Sequence, residues 1–309
     1  MPHLQQLTPE QGVGVFTLIK AVTEFDQIQP LSDHILLHLR HGGDKEDSHL
    51  VIYEDENPNK KVIGYAHIDQ TDLVAGASVE LVIDPAIRGG ALGEQLLAQV
   101  RQICGDKLRL WSHGDLPDAH KLALSQGFKV VRTVIQMIIN INDLIPLPKL
   151  DPDISIRTFL PGLDSSAWIA LNNKAFIDHP EQGNWQLSDL NVRLKEDWFN
   201  ESGFFIASKS TQMIGATWTK IHGSQGHTHE GNEITHDHPI IGELYITAVD
   251  PAFTGLGVGK ALTITALNYL RYQGLKQVIL YVDESNKAAI KLYENLGFNQ
   301  FSRDILFKL

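Results

Sequence analysis

Cysteine is almost missing from this chain: Cys104 is the only one in 309 residues, which excludes an intrachain disulfide framework and fits a reducing compartment. Long apolar runs are missing as well. No stretch reaches the ~18 consecutive apolar residues of a membrane-crossing helix. The opening residues MPHLQQLTPEQ lack the basic and apolar regions of a secretory leader. Positive charge is scarce: 26 Lys and Arg stand against 37 Asp and Glu, for a formal net charge of −11, whereas a nucleic-acid surface needs a basic excess or a basic face. These absences predict a cytoplasmic protein with no membrane or nucleic-acid partner; a monomer is expected. What remains is an ordinary soluble composition, 43% apolar and 20% charged. The length suits two domains of about 150 residues.

Periodicity and turn chemistry fill that length with alternating elements. Helices are predicted over residues 8–25, 32–39, 94–103 and 119–125, and strands over 49–53, 62–69, 78–83, 108–112 and 130–139. In the first helix Thr8 can cap, Pro9 suits the first turn, and Val13, Phe16, Leu18, Ile19 and Val22 supply an apolar face. Asp33 stands near the start of the second, where a carboxylate complements the helix dipole. The later half reads as strands over 154–158, 204–208, 212–221 and 278–282, an apolar alternation at Leu244, Ile246 and Ala248, and helices over 165–176, 187–199, 262–270 and 287–296.

The two halves repeat. Asp84-Pro85 corresponds to Asp250-Pro251, Arg88 to Thr254, Gly93 to Gly259 and Gly127-Phe128 to Gly297-Phe298, with 43 residues from Asp-Pro to Gly-Phe in the first half and 47 in the second. Pro146, Pro148 and Pro152 mark a linker. The expected organisation is therefore domains over 1–141 and 153–309 joined by 142–152, two copies of one mixed α/β fold. In each copy a strand leads through a glycine loop into a helix. Backbone N–H groups and a helix N-terminus converge there, an arrangement suited to a phosphate. Histidines 222, 227, 229, 236 and 238 crowd one polar stretch. They read as a solvated insertion rather than a metal site, because no regular element fixes their geometry and no cysteine assists, and no metal is expected.

Glu243 at the head of a strand, the glycine loop behind it and the block Asn286, Lys287, Ala288, Ala289, Ile290, Lys291, Leu292, Tyr293, then Gly297-Phe298, resemble the catalytic half of the GNAT superfamily of acyl-CoA N-acyltransferases. The resemblance implies two tandem GNAT-type domains, each a mixed, mostly antiparallel central sheet flanked by helices, with acetyl-CoA as cosubstrate. It implies Glu243 as base and Tyr293 as acid. Thr247, Ala248 and Val249 would pair with the pantetheine arm, and Thr254, Gly255, Leu256, Gly257, Val258, Gly259 and Lys260 would hold the pyrophosphate. Residues Asn286, Lys287, Ala288, Ala289, Ile290 and Lys291 would complete that site. Thr254 departs from the Gln or Arg usual at its position.

Counting back from Asp-Pro places Ala77 opposite Glu243, and counting back from Gly-Phe places Ala123 opposite Tyr293. The first domain is thus expected to be non-catalytic, yet able to bind a second acetyl-CoA through Leu81, Val82, Ile83, Arg88, Gly89, Gly90, Ala91, Leu92, Gly93 and Glu94. The segments NNKAF at 172–176, HPEQG at 179–183, DWF at 197–199, WTKIH at 218–222 and GELY at 242–245 narrow the resemblance. They match a tandem-domain branch that acetylates the cysteinyl amine of Cys-GlcN-Ins, a cysteine-glucosamine-inositol pseudo-disaccharide. Carried over, Asp33, Glu181, Lys220, Glu243 and Tyr281 would contact that amine substrate. Two alternatives stay open: acetylation of another small amine, and a non-catalytic acyl-CoA sensor.

Overall fold

A computed structural model describes residues 3–41, 47–56, 61–70, 76–177, 182–196, 198–222 and 240–309. Along the chain come β1 (His3–Leu4), α1 (Pro9–Asp26), α2 (Asp33–His41), β2 (Asp47–Tyr53), β3 (Val62–Asp69), β4 (Ala77–Ile83), α3 (Ala91–Cys104), β5 (Leu108–His113), α4 (Pro117–Ser125) and β6 (Lys129–Asn140). There follow β7 (Ile154–Thr158), α5 (Ser165–Ala175), α6 (Leu187–Arg193), β8 (Phe204–Lys209), β9 (Gln212–His222), β10 (Ile241–Val249), α7 (Val258–Tyr272), β11 (Gln277–Asp283), α8 (Lys287–Asn295) and β12 (Asn299–Lys308). No described helix is long and apolar enough to cross a membrane.

The chain forms two compact units. One comprises Met1–Ile135, Asp283–Ser285 and Ser302–Leu309, and the other Gln136–Val282 and Asn286–Phe301. The boundary therefore differs from the 1–141, 142–152 and 153–309 division. The chain's last segment packs with the first unit because Asp304 to Phe307 of β12 pair antiparallel with β5. The proline segment belongs to the second, tied there by Asn268, whose side chain accepts from the Ile145 N–H and donates to its carbonyl, both at 2.8 Å.

In the first unit the strands run in the order β1-β2-β3-β4-β5-β12, parallel only between β4 and β5. Alternation along β2 and β3 sends Leu50, Ile52, Ala66 and Ile68 to the α3 face, where Leu96, Leu97 and Val100 meet them. Val51, Tyr53 and Tyr65 go to the other face, under Val15, Leu18, Ile19 and Val22 of α1. Thr8 caps α1 in a reciprocal box with Gln11. Val13, expected on the apolar face, is 68% exposed instead.

The second unit repeats this plan in the order β6-β11-β10-β9-β8-β7, parallel between β10 and β11 and antiparallel from β10 through β7. Its α5 face carries an aromatic core in which Phe204 stacks on Phe159 at 4.1 Å and on Trp218 at 4.6 Å. That core shortens the helix expected over 187–199. α6 ends at Arg193 and the chain continues in tight turns, which set Trp198 and Phe199 against Trp218 at 5.5 and 5.7 Å. Tertiary packing overrides local propensity here.

Candidate functional site

The site of the second unit is organised by an irregularity in β10. Its antiparallel register with β9 pairs Glu243 with Lys220 and Leu244 with Thr219, then skips Tyr245 and resumes with Ile246 opposite Trp218. Tyr245 is an inserted bulge residue, and a bulge bends and twists its strand. On the other edge, the parallel ladder to β11 covers only Gly242 to Leu244 against Val278 to Leu280. Beyond Leu244 the two strands part. Among the described residues, the backbone edge of Thr247, Ala248 and Val249 facing β11 has no ladder partner, so its N–H and C=O groups are available to an extended guest.

Cross-strand partners share a face, so Glu243, Lys220, Trp218 and Ile246 look toward the aromatic core. Glu243 is 5% exposed, and its Oε2 lies 2.6 Å from Nε2 of the half-buried His222. Lys220 lies over the rings of Trp198 at 5.1 Å and Tyr245 at 5.7 Å, where the ring faces attract a cation. Arg193 stacks on Trp185 at 4.1 Å and donates from Nε to the Tyr245 hydroxyl at 3.0 Å. This wall combines one buried carboxylate, an imidazole leading outward from it, and cations held by aromatic faces. Such a set suits a polar substrate bearing an amine.

Tyr293 comes from α8 on the opposite face. Burial pushes its phenol up to about 12, although a hydrogen bond with the Thr247 side chain pulls the other way. Thr247 in turn shares a 2.9 Å hydrogen bond with Thr217. Carboxylate and phenol thus approach from the two sides of the sheet, at the stretch where β10 and β11 separate. Tyr281 of β11 is 47% exposed, and its hydroxyl accepts from Gln136 at 2.9 Å.

Behind the split, Gly255 (φ 83°) and Gly257 (φ 77°) take left-handed conformations that favour glycine. Gly257 caps α7 with no side-chain hydrogen bond, and no acidic residue stands in the first turn, which leaves the N-terminal N–H groups open to an anion. Thr254, Gly255, Leu256 and Gly257 are exposed, Val258 is buried, Gly259 is half-buried against Val249 and Leu292, and Lys260 is exposed. Thr254 turns its hydroxyl back to the Pro251 carbonyl at 3.0 Å. Asn286 caps α8 by accepting from the Ala289 N–H at 3.1 Å. Lys287, Ala288 and Lys291 are exposed beside it, and Ala289 and Ile290 half-buried.

The short motifs have structural duties. Asn172 donates to the Gln182 carbonyl at 2.8 Å, Asn173 donates to that of Trp185 at 2.9 Å, and Lys174 pairs with Asp250 at 2.8 Å. Glu181 and histidines 227, 229, 236 and 238 lie outside the described residues, as does the side chain of Asp33, which opens α2. Sequence reasoning did not single out His222 and Tyr245 as site residues. The available signal was period two along β9, which places His222 on the face of Lys220.

Strand registers correct the alignment of the halves. In the first unit Ser78 pairs with Asp69 and Glu80 with His67, without a bulge, and Ala77 pairs in parallel with Leu108 as Gly242 does with Val278. The counterpart of Glu243 is therefore Ser78, not Ala77; the inserted Tyr245 offset the count by one. Ala123 stands where Tyr293 does, each accepting at its carbonyl from the following phenylalanine N–H at 3.0 Å. A cleft of about 190 Å³ is lined by Leu81, Val82, Ile83 and Leu122, with Asp26 and Arg88 at its loop end. Asp26 clamps Arg88 with two hydrogen bonds of 2.7 and 2.6 Å. Gly89 is left-handed at φ 77°, Gly90 caps α3 ahead of Ala91 and Leu92, Gly93 packs on Leu122, and Glu94 sits in the first turn. Two carboxylates, Asp26 and Glu94, thus stand beside this loop, whereas the first turn of α7 in the second unit has none.

Residues 17–128 and 168–298 match the Acetyltransferase (GNAT) family. A curated relative from Acidothermus cellulolyticus, named mycothiol acetyltransferase, is 46% identical over 99% of this chain and 93% of its own length. One of the same name from Streptosporangium roseum is 41% identical over 99% and 98%. Among solved structures, a GCN5-related N-acetyltransferase from Sphaerobacter thermophilus superposes with a TM-score of 0.73 at 21% identity, over 99% of this chain and 94% of that one. A tandem GNAT protein from the clavulanic acid biosynthesis pathway gives 0.71 at 17% identity, over 96% and 94%.

Proposed function

The chain belongs to the acetyltransferase (GNAT) family and carries two GNAT repeats, and on that premise we propose that it makes mycothiol by transferring acetyl from acetyl-CoA to the cysteinyl amine of Cys-GlcN-Ins. The observation that carries the chemistry is the split β10 edge with Glu243 and Tyr293 approaching it from opposite faces. The substrate rests on the curated relatives and on the wall of Glu243, Lys220 and paired aromatics.

Acetyl-CoA supplies an activated acyl group. The open edge of Thr247, Ala248 and Val249 suits its pantetheine, and the α7 N-terminus with its glycine loop suits its pyrophosphate. Glu243 accepts the proton that the ammonium must lose before its nitrogen can attack, and His222, on its Oε2 at 2.6 Å, provides a path outward. Tyr293 keeps its proton at neutral pH and directs it at the sulfur as negative charge develops. A covalent acyl-cysteine route has no support, since burial pushes the sole thiol, Cys104, up to about 11. Direct transfer follows.

The first unit, with Ser78 and Ala123 in place of Glu243 and Tyr293, is non-catalytic. Acetyl-CoA in its cleft requires the Asp26–Arg88 clamp to open. Glu181 and Tyr281 complete the amine site in this reading. The test is product analysis by mass spectrometry with acetyl-CoA and either Cys-GlcN-Ins or a panel of aminoglycosides and polyamines. A single acetyl on the cysteinyl nitrogen, with kcat/KM well above the panel, supports the proposal. Preference for a panel amine reassigns the substrate, and binding of acetyl-CoA without transfer to any amine leaves a sensor.

A further inference from the structure

The first unit buries a row of titratable side chains where the second buries hydrocarbon. His49 pairs with His67 across β2 and β3, and His67 with Glu80 across β3 and β4. The same rungs in the second unit hold Phe204, Trp218 and Ile246. The fold therefore has an apolar solution for this row, and packing alone does not call for histidines. Glu80 is engaged by His113 at 3.2 Å and by the Ser32 N–H at 2.7 Å. His49 shares a 2.8 Å hydrogen bond with the Tyr65 hydroxyl. His67 differs: it is fully buried, and among the described residues neither ring nitrogen has a hydrogen-bond partner, a rare condition for a buried imidazole. Its Nε2 faces Asp47 Oδ1 at 3.8 Å, and Asp47 Oδ2 lies 2.5 Å from His38 Nδ1 on α2.

We propose that His38, Asp47 and His67 form a binding site for a divalent first-row transition ion, with zinc as the probe, in the first unit. Their donor atoms lie within 4.8 Å of one another. Donors held tetrahedrally at about 2.1 Å lie ~3.4 Å apart, so the widest pair closes by about 1.4 Å, through side-chain torsions. The rings of His38 and His67 have centroids 6.1 Å apart, close to the ~5–6 Å of two imidazoles on one ion at that bond length. Two neutral nitrogens and one carboxylate match the preference of these ions for imidazole with a hard anionic partner. The ion satisfies His67 Nε2 and replaces the His38–Asp47 hydrogen bond, joining α2 to the β2–β3 pair. Half-buried His38 gives it a route from solvent, and water can supply a fourth ligand. This stands against the expectation of a metal-free chain, and is independent of the proposed reaction.

The test uses full-length protein stripped with chelator and titrated with Zn2+ alone, alongside His38→Ala and His67→Leu. The wild type is expected to bind one equivalent more than either variant with a micromolar or tighter Kd. Each variant should weaken that equivalent at least about tenfold and lose the d–d absorption of the Co2+-loaded wild type. The histidines between residues 222 and 239 offer another place for zinc, so the difference between chains decides, not total uptake. His38→Ala removes a partly exposed side chain and is decisive on its own if His67→Leu does not fold. No zinc uptake by the stripped wild type at micromolar Zn2+ overturns the proposal. So do unchanged stoichiometry and Co2+ spectrum in His38→Ala with a native circular dichroism spectrum.

Discussion

Replacing Tyr293 by Phe tests whether the buried phenol assists departure of the thiolate. Burial pushes this hydroxyl up to about 12, whereas a free thiol such as cysteine's ionises near about 8.5. Complete transfer of the phenol proton to a thiolate is then uphill by about 3.5 pK units, or ~5 kcal/mol at 1.36 kcal/mol per unit. Donating a hydrogen bond to sulfur as charge builds avoids that penalty and contributes ~1.5–3 kcal/mol, the range for bonds to charged groups. Y293F is therefore expected to lower kcat about 10- to 150-fold, at 1.36 kcal/mol per tenfold, with the KM for acetyl-CoA nearly unchanged. Loss of the Thr247 hydrogen bond costs ~0.5–1.5 kcal/mol of stability, which thermal melting reports separately.

The assay is the initial rate of thiol release between about pH 6 and 9.5. Parallel profiles for the wild type and Y293F are expected, because the phenol titrates above that range. An alkaline fall in the wild type that vanishes in Y293F would show the phenol ionising within range and refute the argument. A loss above ~10⁴-fold, the upper end of general acid catalysis, would mean that full proton transfer is obligatory. An unchanged rate would remove Tyr293 from the chemistry.

Glu243→Gln keeps the shape of the site and removes the proposed base, so kcat should fall ~10²–10⁴-fold with acetyl-CoA binding intact by calorimetry; near-normal turnover would exclude Glu243 as the base. Asp26→Asn frees Arg88 and removes one of the two carboxylates beside the first unit's loop, so a second equivalent of acetyl-CoA should bind at least about tenfold more tightly; calorimetry showing no change would mean that this cleft does not take the nucleotide. His113→Gln leaves the Glu80 and Asp304 carboxylates facing each other, a loss of ~3–5 kcal/mol as for a broken buried pair. Burial opposes charge on His113, but Glu80 and Asp304 more than offset it and hold its pKa well above 6.5, while His113 and the Ser32 N–H hold Glu80 below 4.5 against burial. The imidazolium's contribution is complete below pH 6.5 and fades as pH rises through its folded value; that of Glu80 is complete above pH 4.5 and fades as pH falls. Melting temperature should thus decline from about pH 6.5 upward in the wild type, and the decline should flatten in His113→Gln; equal slopes would refute the assignment.

Elements with strong local signals were legible. The Thr8 cap, the two Asp-Pro turns and the paired glycine loops lie where capping and turn chemistry put them. What escaped the sequence was set by contacts across strands. The end of α6 was pulled away by Trp218, and Asp304 joined β5 from nearly two hundred residues on. His222 and Glu243 meet because β9 and β10 are adjacent strands, and His38, Asp47 and His67 have no metal-site spacing along the chain. Only the antiparallel register of β2 and β3 and the position of α2 bring the last three together.

The bulge at Tyr245 connects these observations. Without it the registers of the two units match rung for rung, Ser78 to Glu243 and Glu80 to Ile246. The β4–β5 ladder has four rungs, Ala77 to Glu80, and the β10–β11 ladder has three, ending at Leu244 beside the bulge. A bulge bends its strand, so the insertion accounts for the sheet parting one rung sooner. The extra residue also supplies a ring beside Lys220 and a hydroxyl that holds Arg193. One inserted residue therefore opens the strand edge next to Glu243 and builds the aromatic wall facing it. The first unit lacks that residue, its ladder stays closed through Glu80, and the matching row of its sheet is free to bury histidines.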